Sequence, residues 1–352
     1  MSVLFYVQHL LGIGHLKRAA ILARALAAEG LPVTLVSGGD PVGVLDTRGF
    51  DLVQLPPVRA VDRTFAGLVD ADGVPADASL LAERRERLLG TFARVRPAVV
   101  MVELFPFGRR ALRGEIEALL DAATDGLRFC SVRDILVEKN RPEREAEMVA
   151  AARRWFDGVL VHSDPSFVPF DLTFPRVQEI ADLIHYTGYV VEPIMAESDA
   201  GKGEVIVSSG GGRLGAELLA AARAARPLTK LRDAPWRFLD GPERADFTTL
   251  LANCALSISQ GGYNTTMEVL AAGARAVLVP SGGGNETEQT LRARLLAERG
   301  RVAQLPEDQL TPERLAHLID AVPEPSDTKI DLGGAAETAR YVKAAFERKA
   351  RI

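Results

Sequence analysis

The chain has 352 residues, enough for two domains of ordinary size with separate cores. Hydrophobic residues make up 47% and charged residues 25%, and the net charge of −5 speaks against a nucleic-acid binder, which normally shows a basic excess. No apolar run approaches the ~20 residues needed to span a bilayer, and Cys130 and Cys254 lie far apart with no metal-ligand spacing, as reduced thiols would.

The N-terminus opens directly on a strand, 2–7 (SVLFYV), with no basic region before the apolar part. No signal peptide is expected, and the chain reads as cytoplasmic. The first loop and helix start follow as QHLLGIGHLKRAA, residues 8–20. Gly12 and Gly14 suit a tight turn, and His15 stands at the start of a helix expected over 15–29. A dinucleotide fingerprint would need a third glycine where Lys17 stands, so nicotinamide or flavin binding is rejected. The helix dipole disfavours a protonated His15, which leaves a neutral imidazole fit to act as a base; a purely structural cap is the equal alternative. Strands at 32–36, 51–55, 98–102, 127–131 and 158–162 alternate with helical patterns at 79–95, 108–123 and 142–156. Residues 57–78 read as a polar, structureless insertion. Residues 80–96, LLAERRERLLGTFARVR, fit a membrane-surface helix and, more simply, an ordinary helix with a solvated basic face. Glu103 ends the strand VVMVE and Asp134 ends SVRD, each as a candidate base or as the partner of an arginine such as Arg109 or Arg133.

The stretch TGYVVEPIMAESDAGKG, 187–203, is rich in glycine, proline and small polar residues and reads as a linker between domains 1–187 and 188–352. Beyond it, strands at 204–208, 235–239, 255–258 and 275–279 alternate with helices at 213–225, 264–272, 286–299 and 311–321. A final helix at about 335–350 can pack on either half. The pattern gives an α/β fold of two doubly wound, Rossmann-like domains facing across a cleft, with ligands at the carboxyl ends of the strands.

Three glycine loops of the second half stand at such strand ends. SSGGGRLGA, 208–216, exposes backbone amides at Gly210, Gly211 and Gly212 and adds the cation of Arg213. SQGGYNTTMEVLAAG, 259–273, reads as strand, glycine loop and helix N-terminus, a place whose unpaired amides and positive dipole suit a phosphate. Thr265 and Glu268 also fit a capping box there. SGGGNETEQTLRA, 281–293, has Asn285 and Glu288 as a plausible cap pair. Glu288 and Gln289 together carry the donors and acceptors that recognise neighbouring sugar hydroxyls.

The order of these loops resembles one family. Residues 259–289 are similar to the donor-binding signature of GT-B glycosyltransferases, especially glycosyltransferase family 28, which contains the peptidoglycan N-acetylglucosaminyltransferase that makes lipid II. SQGGYNTTME also resembles the HCGWNSTLE core of the eukaryotic and plant UDP-sugar transferases. The resemblance implies that Gly262, Asn264, Thr265 and Thr266 bind a diphosphate, that Glu268 binds ribose hydroxyls, and that Glu288 and Gln289 bind the donor sugar. Residues 12–18 are similar to the family's GxGH element, which implies Gly14 beside the donor and His15 on the acceptor side; 210–212 with Arg213 resemble its second-domain phosphate loop.

The implied activity is inverting, metal-independent transfer of a sugar from a nucleoside diphosphate sugar to an acceptor hydroxyl, with no cofactor. The donor is expected to be UDP-linked, with UDP-N-acetylglucosamine one candidate. The acceptor is a glycan, a lipid-linked molecule or a small molecule, reached from the cytoplasm or the inner membrane face. His15 is the first choice of base, Glu103 the second and Asp134 the third. Two other readings stand beside it: a nucleotide-sugar epimerase of the same fold, and a non-catalytic nucleotide-sugar-binding partner of a membrane transferase. Asp70-Ala-Asp72 has a spacing that glycosyltransferases of another fold use for a metal, but two acids in a solvated loop are far commoner. The sequence departs from the family pattern in two places. GPERAD alone joins PWRFLDG to FTTLLANC where the family has a further strand, which puts base recognition in question, and Gln260 replaces a basic residue or histidine.

Overall fold

A computed structural model describes residues 1–43, 45–61, 67–136, 141–194, 198–209, 213–240, 246–282 and 287–351. The chain forms two compact units, Met1–Val190 with Gly333–Ile352, and Val191–Leu332.

In the first unit the elements in chain order are β1 (Val3–Val7), α1 (Gly14–Ala28), β2 (Val33–Ser37), β3 (Asp51–Gln54), β4 (Arg59–Ala60), β5 (Leu68–Val69), α2 (Ala78–Val95), β6 (Val99–Glu103), α3 (Arg113–Ala122), β7 (Leu127–Arg133), α4 (Pro142–Trp155), β8 (Gly158–His162) and β9 (Ile184–Tyr186). Seven strands make one parallel sheet in the order β3-β2-β1-β6-β7-β8-β9. The reversal of strand order beside β1 is the topological switch at which ligands of open α/β sheets bind. Strands β1, β6 and β8 are buried at every position, as parallel strands covered by helices on both faces must be, and this is why they read as unbroken apolar runs. One core layer packs Leu4, Tyr6, Val100, Val102, Ile116 and Leu119 with their neighbours; the other packs Val3, Phe5, Leu22, Leu26, Met101 and Phe129.

The insertion read as structureless is ordered in part. Strands β4 and β5 form an antiparallel hairpin, tied to the first loop by the Ala60 amide donating to Leu10 O at 2.9 Å. Asp70 serves its own turn: its Oδ1 accepts from the amides of Asp72 (3.0 Å) and Val74 (2.8 Å). A two-residue strand is too short to leave an alternating pattern in the sequence. Helix α2 has the solvated outer face. Arg84, Leu88 and Thr91 are buried, Leu80, Leu81 and Phe92 pack on the core, and Glu83 and Arg87 pair at 2.6 Å on the outside. Its apolar side is therefore committed to the unit's own core. The buried Arg84 donates to Glu115, to Gln8 Oε1 (2.8 Å) and to Gly38 O (2.8 Å), which satisfies its charge.

The second unit runs β10 (Val205–Ser208), α5 (Arg213–Ala225), β11 (Trp236–Leu239), α6 (Phe247–Asn253), β12 (Leu256–Ser259), α7 (Tyr263–Ala272), β13 (Ala276–Leu278), α8 (Glu288–Glu298), β14 (Ala303–Gln304) and α9 (Pro312–Ala321). Its parallel sheet has the order β11-β10-β12-β13-β14. Among the described residues no strand lies between β11 and α6. Helix α10 (Gly334–Lys349) returns to the first unit, where Ala339 and Val342 join the core around α1 and Lys343 Nζ donates to Glu29 O at 3.0 Å. The sequence left its home open because its amphipathic face suits either unit. A close approach also holds it there: a Cβ on Gly334 would overlap the backbone oxygen of Gly188. Among the described residues no helix is long and apolar enough to cross a membrane.

Candidate active site

In the first unit the carboxyl ends of β6, β7 and β8 carry a connected set of buried polar side chains. His15 is the second residue of α1, whose N-cap position, Ile13, supplies no side-chain bond. His15 Nδ1 lies 2.9 Å from Glu103 Oε1 and 3.1 Å from Arg18 Nη2. Glu103 is fully buried and also pairs directly with Arg18, itself buried one turn along α1. The second oxygen of Glu103 accepts from Ser131 Oγ at 2.6 Å. Ser131 in turn lies 2.9 Å from His162 Nε2, and His162 Nδ1 lies 2.8 Å from Thr187 Oγ1.

The charges in this set are mutually tuned. Burial works to raise the Glu103 pKa, but the Arg18 charge and the hydrogen bonds from His15 and Ser131 outweigh it and hold the carboxyl well below its usual range. His15 moves well below its ordinary value, first through burial and then through the nearby Arg109 and Arg18 charges, against the pull of Glu103. His162 is pushed down to about 3 by burial, with Arg18 adding to the shift. Both imidazoles are therefore neutral, while Glu103 and Arg18 are an ion pair. Arg109, lowered to about 10 by burial, donates Nε to Gln8 O at 2.6 Å. Asp134, also fully buried, accepts from Tyr189 Oη at 3.2 Å.

The second unit builds its loop at the end of β12. Helix α7 begins at Tyr263 with Gly262 at the N-cap position and no side-chain cap bond; it ends at Gly273 in the left-handed conformation. The capping box expected of Thr265 and Glu268 is therefore not formed, because Thr265 already lies inside the first turn. Thr265 is instead a first-turn residue of α7, at the positive end of the helix dipole. Asn264 and Thr265 are part-exposed, whereas Thr266 and Glu268 are buried. A Cβ on Gly262 would meet nothing within 4 Å, so the unit's own packing does not require glycine there. Gly12 in the first loop is equally open, and neither it nor Gly14 has the positive φ that a tight glycine turn would use. Glycine at both places leaves room rather than enabling a bend.

Helix α8 also starts differently from the cap pair expected of Asn285 and Glu288. Thr287 holds the N-cap position without a side-chain bond, and Asn285 lies outside the described residues. Glu288 pairs at 2.7 Å with Arg292, which is fully buried and lies with its guanidinium 5.3 Å from the Tyr263 ring centroid. Gln289 Oε1 accepts from the Ser281 amide at 3.1 Å. Gly210, Gly211 and Gly212 lie outside the described residues; of Arg213 only the backbone, at the start of α5, is described.

The structure thus joins His15 to Glu103 and leaves Asp134 with a different partner. Sequence reasoning missed Arg18, Ser131, His162 and Thr187. The available signal was a polar residue closing an apolar strand, as in VVMVE and GVLVH. Their lateral contact was not available, because it depends on sheet order and register, in which Glu103 stands opposite Ser131.

Two units, each a parallel sheet alternating with helices, match the GT-B class of glycosyltransferase folds. Known structures agree. MurG from Acinetobacter baumannii superposes over 100% of both chains with a TM-score of 0.60 at 15% identity. UGT2 from Phytolacca americana, solved with UDP-2-fluoro-glucose and pterostilbene, superposes over 99% of this chain and 94% of its own with a TM-score of 0.59 at 14% identity. Residues 244–346 match the glycosyltransferase family 28 C-terminal domain. The chain is a GT-B-fold protein related to glycosyltransferase family 28. The UDP-N-acetylglucosamine–N-acetylmuramyl-(pentapeptide) pyrophosphoryl-undecaprenol N-acetylglucosamine transferase of Methylorubrum extorquens is 34% identical over 101 residues, 28% of this chain and 27% of that protein. The corresponding transferase of Aromatoleum aromaticum is 34% identical over 108 residues, 31% and 29% of the two chains. The matched segments span less than a third of the length of these curated relatives.

Proposed function

We propose that the chain is an inverting, metal-independent glycosyltransferase that moves a sugar from a nucleoside diphosphate sugar, with UDP the favoured carrier, to an acceptor hydroxyl. The observation that carries this reading is the neutral His15 bonded through Nδ1 to the ionised Glu103, in a chain whose residues 244–346 match the family 28 C-terminal domain. With Nδ1 engaged, Nε2 has no protein partner among the described residues and is the atom that takes the acceptor proton. As it does so, the imidazolium forms against the Glu103 carboxylate, which stabilises it without being protonated itself. Glu103 is thereby the orienting partner and not a second-choice base, and Asp134, bonded to Tyr189, takes no part in the proton transfer.

On the donor side, the leaving diphosphate develops negative charge as the glycosidic bond breaks. The positive end of α7, with the Thr265 amide in its first turn, stabilises that charge, and the open space at Gly262 admits a phosphate close to the backbone. The full burial of Thr266 leaves the phosphate to Gly262, Asn264 and Thr265. Glu268 is assigned the ribose and Gln289 the donor sugar. Glu288 contributes by fixing Arg292 under Tyr263 and so holding the two loops in register.

The acceptor is assigned to the first unit, and a lipid-linked acceptor is favoured because the curated relatives carry an undecaprenol acceptor in their names. The test is incubation of the purified chain with a panel of nucleoside diphosphate sugars, with and without a polyprenyl diphosphate-linked acceptor. Acceptor-dependent release of nucleoside diphosphate supports transfer. Conversion of the sugar nucleotide without any acceptor would mean epimerisation, and binding without turnover in every mixture would refute catalysis.

A further inference from the structure

Catalysis by His15 and Glu103 leaves unexplained why Ser131, His162 and Thr187 form a buried polar chain behind them. Nδ1 of His15 has two neighbours, Glu103 Oε1 at 2.9 Å and Arg18 Nη2 at 3.1 Å. They demand opposite tautomers. If Nδ1–H donates to Glu103, Nε2 carries the lone pair and the ring is a base. If Arg18 donates to Nδ1, the proton sits on Nε2 and the ring cannot accept another there.

The chain behind Glu103 decides between them. Glu103 is ionised and accepts only. Ser131 has one hydroxyl proton, and the carboxylate at 2.6 Å is its strongest acceptor. His162 Nε2, 2.9 Å from Ser131 Oγ, must then donate to that oxygen, and its Nδ1 accepts from Thr187 Oγ1 at 2.8 Å. With His162 in that tautomer, the bonds from Thr187 to His162, from His162 to Ser131 and from Ser131 to Glu103 all run toward the carboxylate, and the Gly188 carbonyl oxygen, 3.1 Å from Thr187 Oγ1, is the competing acceptor for the Thr187 proton. Because Ser131 occupies Oε2, the carboxylate cannot turn to meet Arg18 with both oxygens, and Oε1 stays in reach of His15. All of these groups except His15 are buried to at least nine-tenths, so water does not compete for the bonds.

We propose that Ser131 and His162 are positioning residues for the reaction: they orient Glu103 so that His15 is held as the Nδ1–H tautomer with its Nε2 lone pair available. This rests on the reading of His15 as the base. The only proton that moves is the one from the acceptor hydroxyl to Nε2, which returns to solvent when the ring recovers; no proton passes along the Ser131–His162 row.

The experiment is nitrogen-15 NMR of the imidazoles in the intact chain without substrate, paired with turnover. In the parent protein His15 is expected as Nδ1–H and His162 as Nε2–H. Ser131→Ala, which removes one buried atom, is expected to shift His15 toward the Nε2–H tautomer. Turnover should fall about tenfold with the donor KM unchanged, the low end of the cost of removing an outer hydrogen-bond partner of a functional histidine. Ser131→Thr, which restores the hydroxyl, should recover both. An Nε2–H tautomer at His15 in the parent, or an unchanged tautomer in Ser131→Ala, overturns the proposal. The parent measurement needs no substrate and no variant, so it decides the tautomer even if a substitution disturbs folding. Normal turnover of His15→Ala alongside the expected tautomer shifts would instead sink the base assignment, and with it the catalytic role of the row.

Discussion

Replacement of Glu103 by glutamine tests the site through stability alone, whatever the substrate. Glu103 and Arg18 are both buried, and the carboxylate also accepts from His15 and Ser131. The substituted amide would keep the shape and lose the charge, removing the carboxylate that pairs with the buried Arg18 guanidinium. Breaking a buried ion pair by removing one partner costs about 3–5 kcal/mol. For a unit of this size, each kcal/mol shifts Tm by roughly 2–4 °C, so Glu103→Gln should lower Tm by about 6–20 °C at pH 7. The observable must follow the first unit. Trp155, buried in α4 with Nε1 donating to Asp121 at 2.8 Å, does so once Trp236 of the second unit is replaced by phenylalanine. Its fluorescence during thermal unfolding is the assay.

The pH dependence has a definite sign. The folded pKa of Glu103 lies below its ordinary 4.5, so its stabilisation is complete above that value and is lost as pH falls below it toward the folded value. The gap between parent and variant should therefore narrow on acidification below about 4.5 and stay constant from there up to neutrality. A double variant, Glu103→Gln with Arg18→Met, should recover much of the lost stability, because both charges of the buried pair are then removed together. A Tm drop under about 3 °C for the single variant would refute the ion-pair assignment.

His15→Ala should lower turnover at least about a hundredfold with little change in donor affinity. Because burial and Arg109 lower the His15 pKa, the ascending limb of the pH–rate profile should lie well below 6.5 rather than near neutrality, and the variant should lose it; donor affinity falling in step with rate would make the residue a phosphate ligand instead. Glu268→Ala should weaken binding of ribonucleoside diphosphates about tenfold or more, the effect of one charge-assisted hydrogen bond. Since α7 has no capping box, thermal unfolding without ligand should reveal no separate loss of a cap; equal affinity for ribo- and 2′,3′-dideoxyribonucleotides in the parent would remove Glu268 from the ribose. Gln289→Ala should change discrimination among donor sugars while leaving affinity for the free nucleoside diphosphate nearly intact, measured by competitive titration. Equal weakening toward both would assign Gln289 to holding the Ser281 amide alone.

Local pattern alone was enough to read the elements and their class. Strands such as VLFYV and VVMVE are apolar throughout because both faces of a parallel sheet are covered, and that pattern needs no partner to be read. The helix read over 264–272 and its stop at Gly273 were legible for the same reason, as was the glycine turn between β12 and that helix. How those loops and strand ends are built was decided by the tertiary structure. Whether Thr265 caps a helix depends on where the backbone enters the helical region, and Gly262 takes that position earlier than the side-chain pattern implied. The home of α10 depended on which unit offered a complementary surface, and the close approach at Gly334 supplied it in the first. The polar row from His15 to Thr187 is assembled from α1, β6, β7, β8 and the segment after β9, separated by long crossovers. Contacts between parallel strands are set by sheet order and register, which no local stretch of sequence encodes, so the polar neighbours of Glu103 became visible only once Glu103 and Ser131 stood opposite each other.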